Sequence, residues 1–112
     1  MKLPSEAILL RVFIGESDRI EGKLLYEAIV EEARKKNLAG ATVLRGILGF
    51  GANSRIHTSK ILRLSEDLPV VVEIVDEEKK IQKFLPQLDK MVAEGLVTME
   101  KAHVIAYRHN SK

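Results

Sequence analysis

Apolar residues follow two rhythms along this chain, and the alternation between them sets the order of elements. Residues 6–14 are apolar apart from Glu6 and Arg11 and end at Gly15. That run, between Pro4 and Gly15, is short for a helix and predicts a strand. From 21 to 36 the apolar positions Leu24, Leu25, Ala28, Ile29 and Ala33 recur at three and four. This spacing predicts an amphipathic helix, with Ser17 or Asp18 placed to cap it and 37–40 to end it. A second strand is expected over 41–50, and Gly46 inside it suggests a bulge or a close backbone approach. Residues 61–64 can begin the partner strand, 65–69 interrupt it, and 70–75 resume it strongly. Asp76 is then expected to cap a helix whose apolar face is Ile81, Phe84, Leu85, Leu88, Met91 and Val92. Pro86 falls inside that helix and predicts a kink or two short helices. Glu94-Gly95 closes it, 96–107 forms the last strand with a break near Glu100-Lys101, and 108–112 is a loose tail.

The order β-α-β-β-α-β predicts an α+β chain with a single ferredoxin-like domain over 1–112, both helices lying on one face of an antiparallel sheet. In the usual strand order of that fold the first strand neighbours the third and the fourth. Residues 7–12 and 70–75 are apolar at nearly every position, which is more than one covered face requires. Something is therefore expected to cover the second face, and a homo-oligomer is the economical answer. Arg11 and Glu73 interrupt these two runs, so a cross-strand or intersubunit ion pair is expected between them.

Composition removes several classes of function. Within 112 residues there is no cysteine, so disulfides, thiolate metal sites and cysteine nucleophiles are excluded together. A net charge of +2, from 18 basic and 16 acidic residues spread along the chain, gives no field suited to a nucleic acid polymer or a membrane surface. No apolar run is long enough for direct membrane insertion, and the first residues meet acid and proline too early for a signal peptide, so a cytoplasmic protein is expected. RNA binding on this topology needs aromatic residues on the inner strands, and those strands offer none at 6–10 and 70–75. No nucleophile-and-base motif is present, so no enzyme activity is expected. His57, His103 and His109 lack ligand spacing, and His103 is expected to pack in its strand.

Candidate chemistry gathers in residues 40–60, where a β-rich run meets Gly49-Phe50-Gly51 and passes into a polar stretch. Gly49 and Gly51 can expose backbone N–H groups, while Asn53, Arg55, His57 and Lys60 supply donors and charge. Arg45, Arg55, His57, Lys60 and Arg63 cluster around this stretch as an anion site requires, although a long solvated hairpin loop has the same composition.

Gly40-x-Thr42-Val43, then Gly49-Phe50-Gly51, then Leu68-Pro69 before Glu73-Ile74-Val75, resembles the strand, loop and strand of the PII signalling superfamily. The resemblance covers the middle third of the chain, with one residue more between Thr42 and Gly49 and one fewer between Leu68 and Glu73, and so points to an uncharacterised PII-like branch. It implies a homotrimer whose sheets line a central core and a small anionic ligand, such as a nucleotide, in the clefts between subunits. Thr42, Gly49, Phe50 and Gly51 are the positions carried over to that site, to which Asn53 and Arg55 are added from their own chemistry. The resemblance further implies that the loop 51–60, with Ser54, His57 and Lys60, meets a protein partner such as a membrane transporter or an enzyme. Where PII proteins place a phosphate-gripping arginine directly after the motif this chain has Ala52, and Gly95-Leu96-Val97-Thr98 stands where they carry a glycine-rich loop. No cofactor is named by these residues. Two other readings share the topology: a divalent-metal-binding trimer resembling the CutA family, and a small α+β barrel enzyme.

Overall fold

In the computed structural model, residues 4–51 and 67–109 are described. The central strand is β1 (Glu6–Gly15), which pairs antiparallel with β5 (Pro69–Asp76) on one side and β6 (Leu96–His103) on the other. On its far side β5 pairs with β4 (Ala41–Arg45), so the sheet runs β4-β5-β1-β6. This is the expected ferredoxin-like order, with the first long strand between the third and the fourth. Helices α1 (Leu25–Lys35) and α2 (Glu78–Met91) cover one face.

Period-two alternation divides the strands between two environments. Leu10, Val12 and Ile14 of β1, with Val70, Val72 and Ile74 of β5, are buried beneath Leu25, Ile29 and Ala33 of α1 and Ile81, Phe84 and Leu88 of α2. Each large apolar side chain so placed contributes about 1.5–3 kcal/mol over its exposed state. The alternate residues Leu9, Arg11, Phe13, Val71, Glu73 and Val75 point to the other face and are only half-buried.

Several element boundaries differ from the sequence reading. The first helix starts at Leu25, not at 21, because 19–24 fold into a small hairpin of β2 (Arg19–Ile20) and β3 (Lys23–Leu24). Its two-residue turn has positive φ at Glu21 (48°) and Gly22 (82°), the geometry of a type I′ turn. Neither Ser17 nor Asp18 caps α1: its N-cap is Leu24 with no side-chain bond, and Asp18 Oδ2 instead accepts the Gly15 N–H at 2.9 Å. Likewise β4 stops at Arg45 instead of continuing to Phe50. The proline in the second helix neither divides nor ends it, since α2 runs unbroken from Glu78 to Met91. Pro86 lies on the exposed face, where a carbonyl left without its donor is hydrated, and burial of Ile81, Phe84 and Leu88 offsets the roughly 3 kcal/mol that proline costs. The last strand is unbroken at Glu100-Lys101 and ends at His103. His103 is not packed in the strand; it is exposed, with Nδ1 3.1 Å from Glu6 Oε2.

Gly95 makes the entry to β6 possible. Its φ is +151°, and a Cβ there would lie 2.7 Å from the Phe13 carbonyl oxygen. Beyond β6 the pairing with the first strand continues one step, the Val104 N–H donating to Ser5 O at 2.7 Å, and the Tyr107 hydroxyl then donates to Ala39 O at 2.8 Å.

Asp76 is buried, with 1% of its surface exposed, and it does not act as the helix cap, a position held by Glu77 without a side-chain bond. Its carboxylate accepts the Ala39 N–H at 2.8 Å and the Glu77 N–H at 2.6 Å, tying the α1–β4 connection to the start of α2. Asp76→Ala leaves two part-buried donors without their acceptor, and a loss of about 1–3 kcal/mol in urea-unfolding free energy is expected.

A second tie holds the small hairpin to α1: Lys23 Nζ lies 2.6 Å from Glu31 Oε1. The hydrogen bond from Lys23 holds the Glu31 carboxyl below its ordinary range, and the same bond raises the Lys23 ammonium. A carboxylate lowered in the folded state adds stability above its ordinary pKa, and that stability is lost as pH falls through the lowered value. Glu31→Gln is therefore expected to be slightly less stable than the parent at neutral pH, the difference closing in acid, as read from urea midpoints along a pH series.

Candidate functional site

The candidate site is built around the point where β4 ends and the connection to β5 begins. The Gly46 N–H donates to Pro69 O at 2.7 Å, so pairing with β5 continues one step past β4. Gly46 and Gly49 both lie against the Pro69 ring, and a Cβ on either would stand 2.9 and 3.0 Å from Pro69 Cγ. A Cβ at Gly46 would displace the ring and one at Gly49 would press on it, because the backbone passes directly over a ring that has little freedom to move. Laid over it, residues 46–51 project apolar side chains outward: Ile47 and Phe50 are each 85% exposed, and Leu48 81%.

Both feet of the connection rest on the turn after β1. Arg45 Nη2 lies 2.7 Å from Glu16 Oε2. On the returning side the Glu16 N–H donates to Leu68 O at 2.8 Å, while the Ser17 N–H and hydroxyl both donate to Asp67 Oδ1, at 3.0 and 2.8 Å. Arg45, a member of the basic cluster in sequence, is thus committed to a carboxylate.

On the face of the sheet away from the two helices, left uncovered by the described residues, residues in register form rows across the strands. One row is Leu44, Val71, Phe13 and Leu96, and another is Thr42, Glu73, Arg11 and Thr98. The expected pairing of Arg11 with Glu73 is present within one chain, Nε to Oε2 at 3.0 Å, and Arg11 Nη1 also reaches Glu100 Oε2 at 3.3 Å. The hydrogen bond that Arg11 donates to Glu73 raises the guanidinium above its ordinary value, with Glu100 adding to the effect. Arg11 is thus clamped between carboxylates on both neighbouring strands, with apolar side chains above and below.

Thr42 is exposed beside Glu73, whereas Gly49, Phe50 and Gly51 stand beyond the end of β4, so within one chain these residues do not line a common pocket. Asn53, Ser54, Arg55, His57, Lys60 and Arg63 lie outside the described residues. A groove of about 460 Å³ opens elsewhere, between α2 and β6, lined by Gln82, Leu85, Pro86, Leu88, Asp89 and Val97. Sequence reasoning missed it because its walls come from two elements; the apolar positions at 96, 97 and 99 of an otherwise polar strand were the available signal. Among the described residues, no three His, Asp or Glu side chains gather to hold a metal ion. No helix among them is long and apolar enough to cross a membrane.

A protein family described as "Uncharacterized ACR, COG1993" (DUF190) matches residues 7–104 of the chain. The chain belongs to the DUF190 family. A UPF0166 protein of Aquifex aeolicus is 45% identical over 97 residues, covering 87% of this chain and 91% of that relative. A UPF0166 protein of Methanocaldococcus jannaschii is 36% identical over 100 residues, covering 88% and 92%. Among solved structures, a PII-like signaling protein from Thermus thermophilus superimposes with a TM-score of 0.60 at 19% identity, over 89% of this chain and 90% of that one. The structure of CPII bound to ADP and bicarbonate, from Thiomonas intermedia, gives 0.58 at 14% identity over 88% of each chain. At these identities the likeness is one of fold, and this DUF190 chain has the PII-like ferredoxin-like fold that residues 42–75 suggested.

The contact of Gly46 with Pro69 yields a paired expectation. Gly46→Ala crowds the proline ring and should cost about 1–3 kcal/mol by thermal or urea unfolding. Gly51→Ala, where a Cβ meets nothing within 4 Å, should stay within about 0.5 kcal/mol of the parent.

Proposed function

We propose that this DUF190 chain is a PII-like regulatory protein, a cytoplasmic homotrimer without catalysis of its own. It senses a small anionic ligand at clefts between subunits and acts on a partner through the loop 51–60. The observation that carries this reading is the PII-like fold with Gly49-Phe50-Gly51 at the foot of the β4–β5 connection. In this reading the uncovered sheet faces of three copies meet, which removes Leu9, Phe13, Val71 and Val75 from water and encloses the Arg11 clamp. Thr42 and the Gly-Phe-Gly, separate within one chain, then stand at the rim of a cleft that a second copy completes. A nucleotide is the first ligand class to try, because one structural neighbour holds ADP together with bicarbonate. Backbone N–H groups at 49 and 50, with Asn53 and Arg55, are the donors offered to an anion. A ligand that prefers one arrangement of the loop shifts its population by the difference in affinity, and the partner reads the result.

Calorimetric titration of the purified protein with ADP and ATP, with and without magnesium and bicarbonate, tests this. Saturable heat at one ligand per chain is expected, weakened roughly tenfold, about 1.4 kcal/mol, by Arg55→Ala. Absence of heat with every nucleotide would remove nucleotide sensing from the reading.

A further inference from the structure

Three separate segments of the chain converge on the connection between α1 and β4. Lys80 Nζ of α2 lies 3.2 Å from Asn37 O, the Asp76 carboxylate at the end of β5 accepts the Ala39 N–H, and the Tyr107 hydroxyl donates to Ala39 O. Cations surround that meeting point. Arg34, Lys35 and Lys36 lead into the connection, Lys79, Lys80 and Lys83 stand in the first half of α2, and Arg108 follows Tyr107. All are exposed except Lys80, which is half-buried. Charge that is spread along the sequence is thus gathered at one end of the folded chain.

The carboxylates at this end are mostly committed elsewhere. Asp76 is buried and accepts two backbone donors, Glu32 lies 3.7 Å from Lys36, and Glu6 stands beside His103. Only Glu77 and Glu78, at the start of α2, remain to oppose the cations. Among the described residues, Arg34, Lys79, Lys83 and Arg108 make no ion pair. Helix stability explains part of the arrangement: Arg34 and Lys35 suit the dipole in the last turn of α1, but Lys79 and Lys80 oppose it in the first turn of α2.

Apolar surface accompanies the charge. Between the bond of Val104 to Ser5 and that of Tyr107 to Ala39, Ile105 is 85% exposed, and Tyr107 itself is 40% exposed. Cations beside an exposed aliphatic side chain and a tyrosine suit the boundary of a lipid bilayer, where the charges meet headgroup phosphates and the apolar groups enter below them. A nucleic acid or an acidic peptide would use the charge and leave Ile105 in water.

We propose that the end of the chain carrying Lys79, Lys83, Ile105 and Arg108 docks on an anionic membrane surface without inserting a helix. Gly49-Phe50-Gly51 stands beyond the opposite end of β4, so a docked chain keeps that motif in the aqueous phase. Docking of this kind is independent of ligand sensing.

Co-sedimentation with vesicles of phosphatidylcholine, alone or mixed with phosphatidylglycerol, tests it at low and high salt. Binding is expected to the mixed vesicles only and to be lost at high salt. The double variant Lys79→Ala/Lys83→Ala should weaken it roughly thirtyfold, and Ile105→Ser about fivefold. Arg19→Ala/Lys90→Ala removes the same charge from the other end and should change it less than about twofold; thermal melts check that each variant is folded. Failure to bind mixed vesicles at low salt would overturn the proposal, as would equal losses from the two charge pairs, which would reflect net charge and not a face. Binding that ignores Ile105→Ser and is displaced by duplex DNA would assign the surface to a polyanion and overturn the lipid reading.

Discussion

The strand β1 has apolar side chains on both faces, and among the described residues helices cover only one of them. Leu10, Val12 and Ile14 are sealed beneath α1 and α2, but Leu9 and Phe13 are left half-buried on the other side, flanked by Val71 and Val75 of β5. Apolar area left in water is free energy that association recovers, and a contiguous sheet face is larger than isolated surface residues explain. The rest of the molecule follows from this constraint. Both described helices are spent on the first face, and the second face carries apolar rows on either side of a charged one.

That second face is not uniformly greasy, and its polar centre matters as much as its apolar flanks. Arg11 bridges Glu73 and Glu100 across three strands, leaving one carboxylate more than the guanidinium neutralises. An ion pair of this kind adds little net stability when covered, because desolvation opposes the attraction. It does penalise a wrong partner or a slipped register, either of which would bury the carboxylates without complementary groups. In the proposed homotrimer the apolar rows would provide adhesion and the charged row selectivity.

Much of this was legible in the sequence where one residue type carried one meaning. The strands at 6–14 and 70–75 were plain because unbroken apolar runs bounded by Pro and Gly have few other uses, and Arg11 and Glu73 stood out as the charges within them. Glu100 did not, since it sits in a strand already rich in polar residues. The start of α1 was misread because Leu24 continues the helical spacing, and only the positive φ at Glu21 and Gly22 reveals the turn before it. The overextension of β4 has a deeper cause. Ile47, Leu48 and Phe50 were read as strand because apolar residues signal burial, yet they project into solvent. A sequence records that a side chain is to be covered but not by which molecule. For the same reason the candidate ligand residues were chosen by type alone, and the described residues of one chain do not bring Thr42 and Gly49-Phe50-Gly51 into a common pocket.

The turn at 15–18 joins these threads, because it fixes where the exposed apolar residues stand. Glu16 holds Arg45 on the outgoing side and Leu68 on the returning side, and Ser17 holds Asp67. A Cβ at Gly15 would lie 2.7 Å from Asp67 Oδ1 and so displace the carboxylate that Ser17 holds. Pro69, gripped between Gly46 and Gly49 and paired through its carbonyl, then sets the path of residues 46–51 with little freedom in its ring. The apolar ledge is therefore positioned by hydrogen bonds and close contacts at its base, not by burial of its own side chains. A ledge held in this way keeps its shape while exposed, so its entropy of ordering is met on folding and not on binding, which leaves more of its apolar burial available for association.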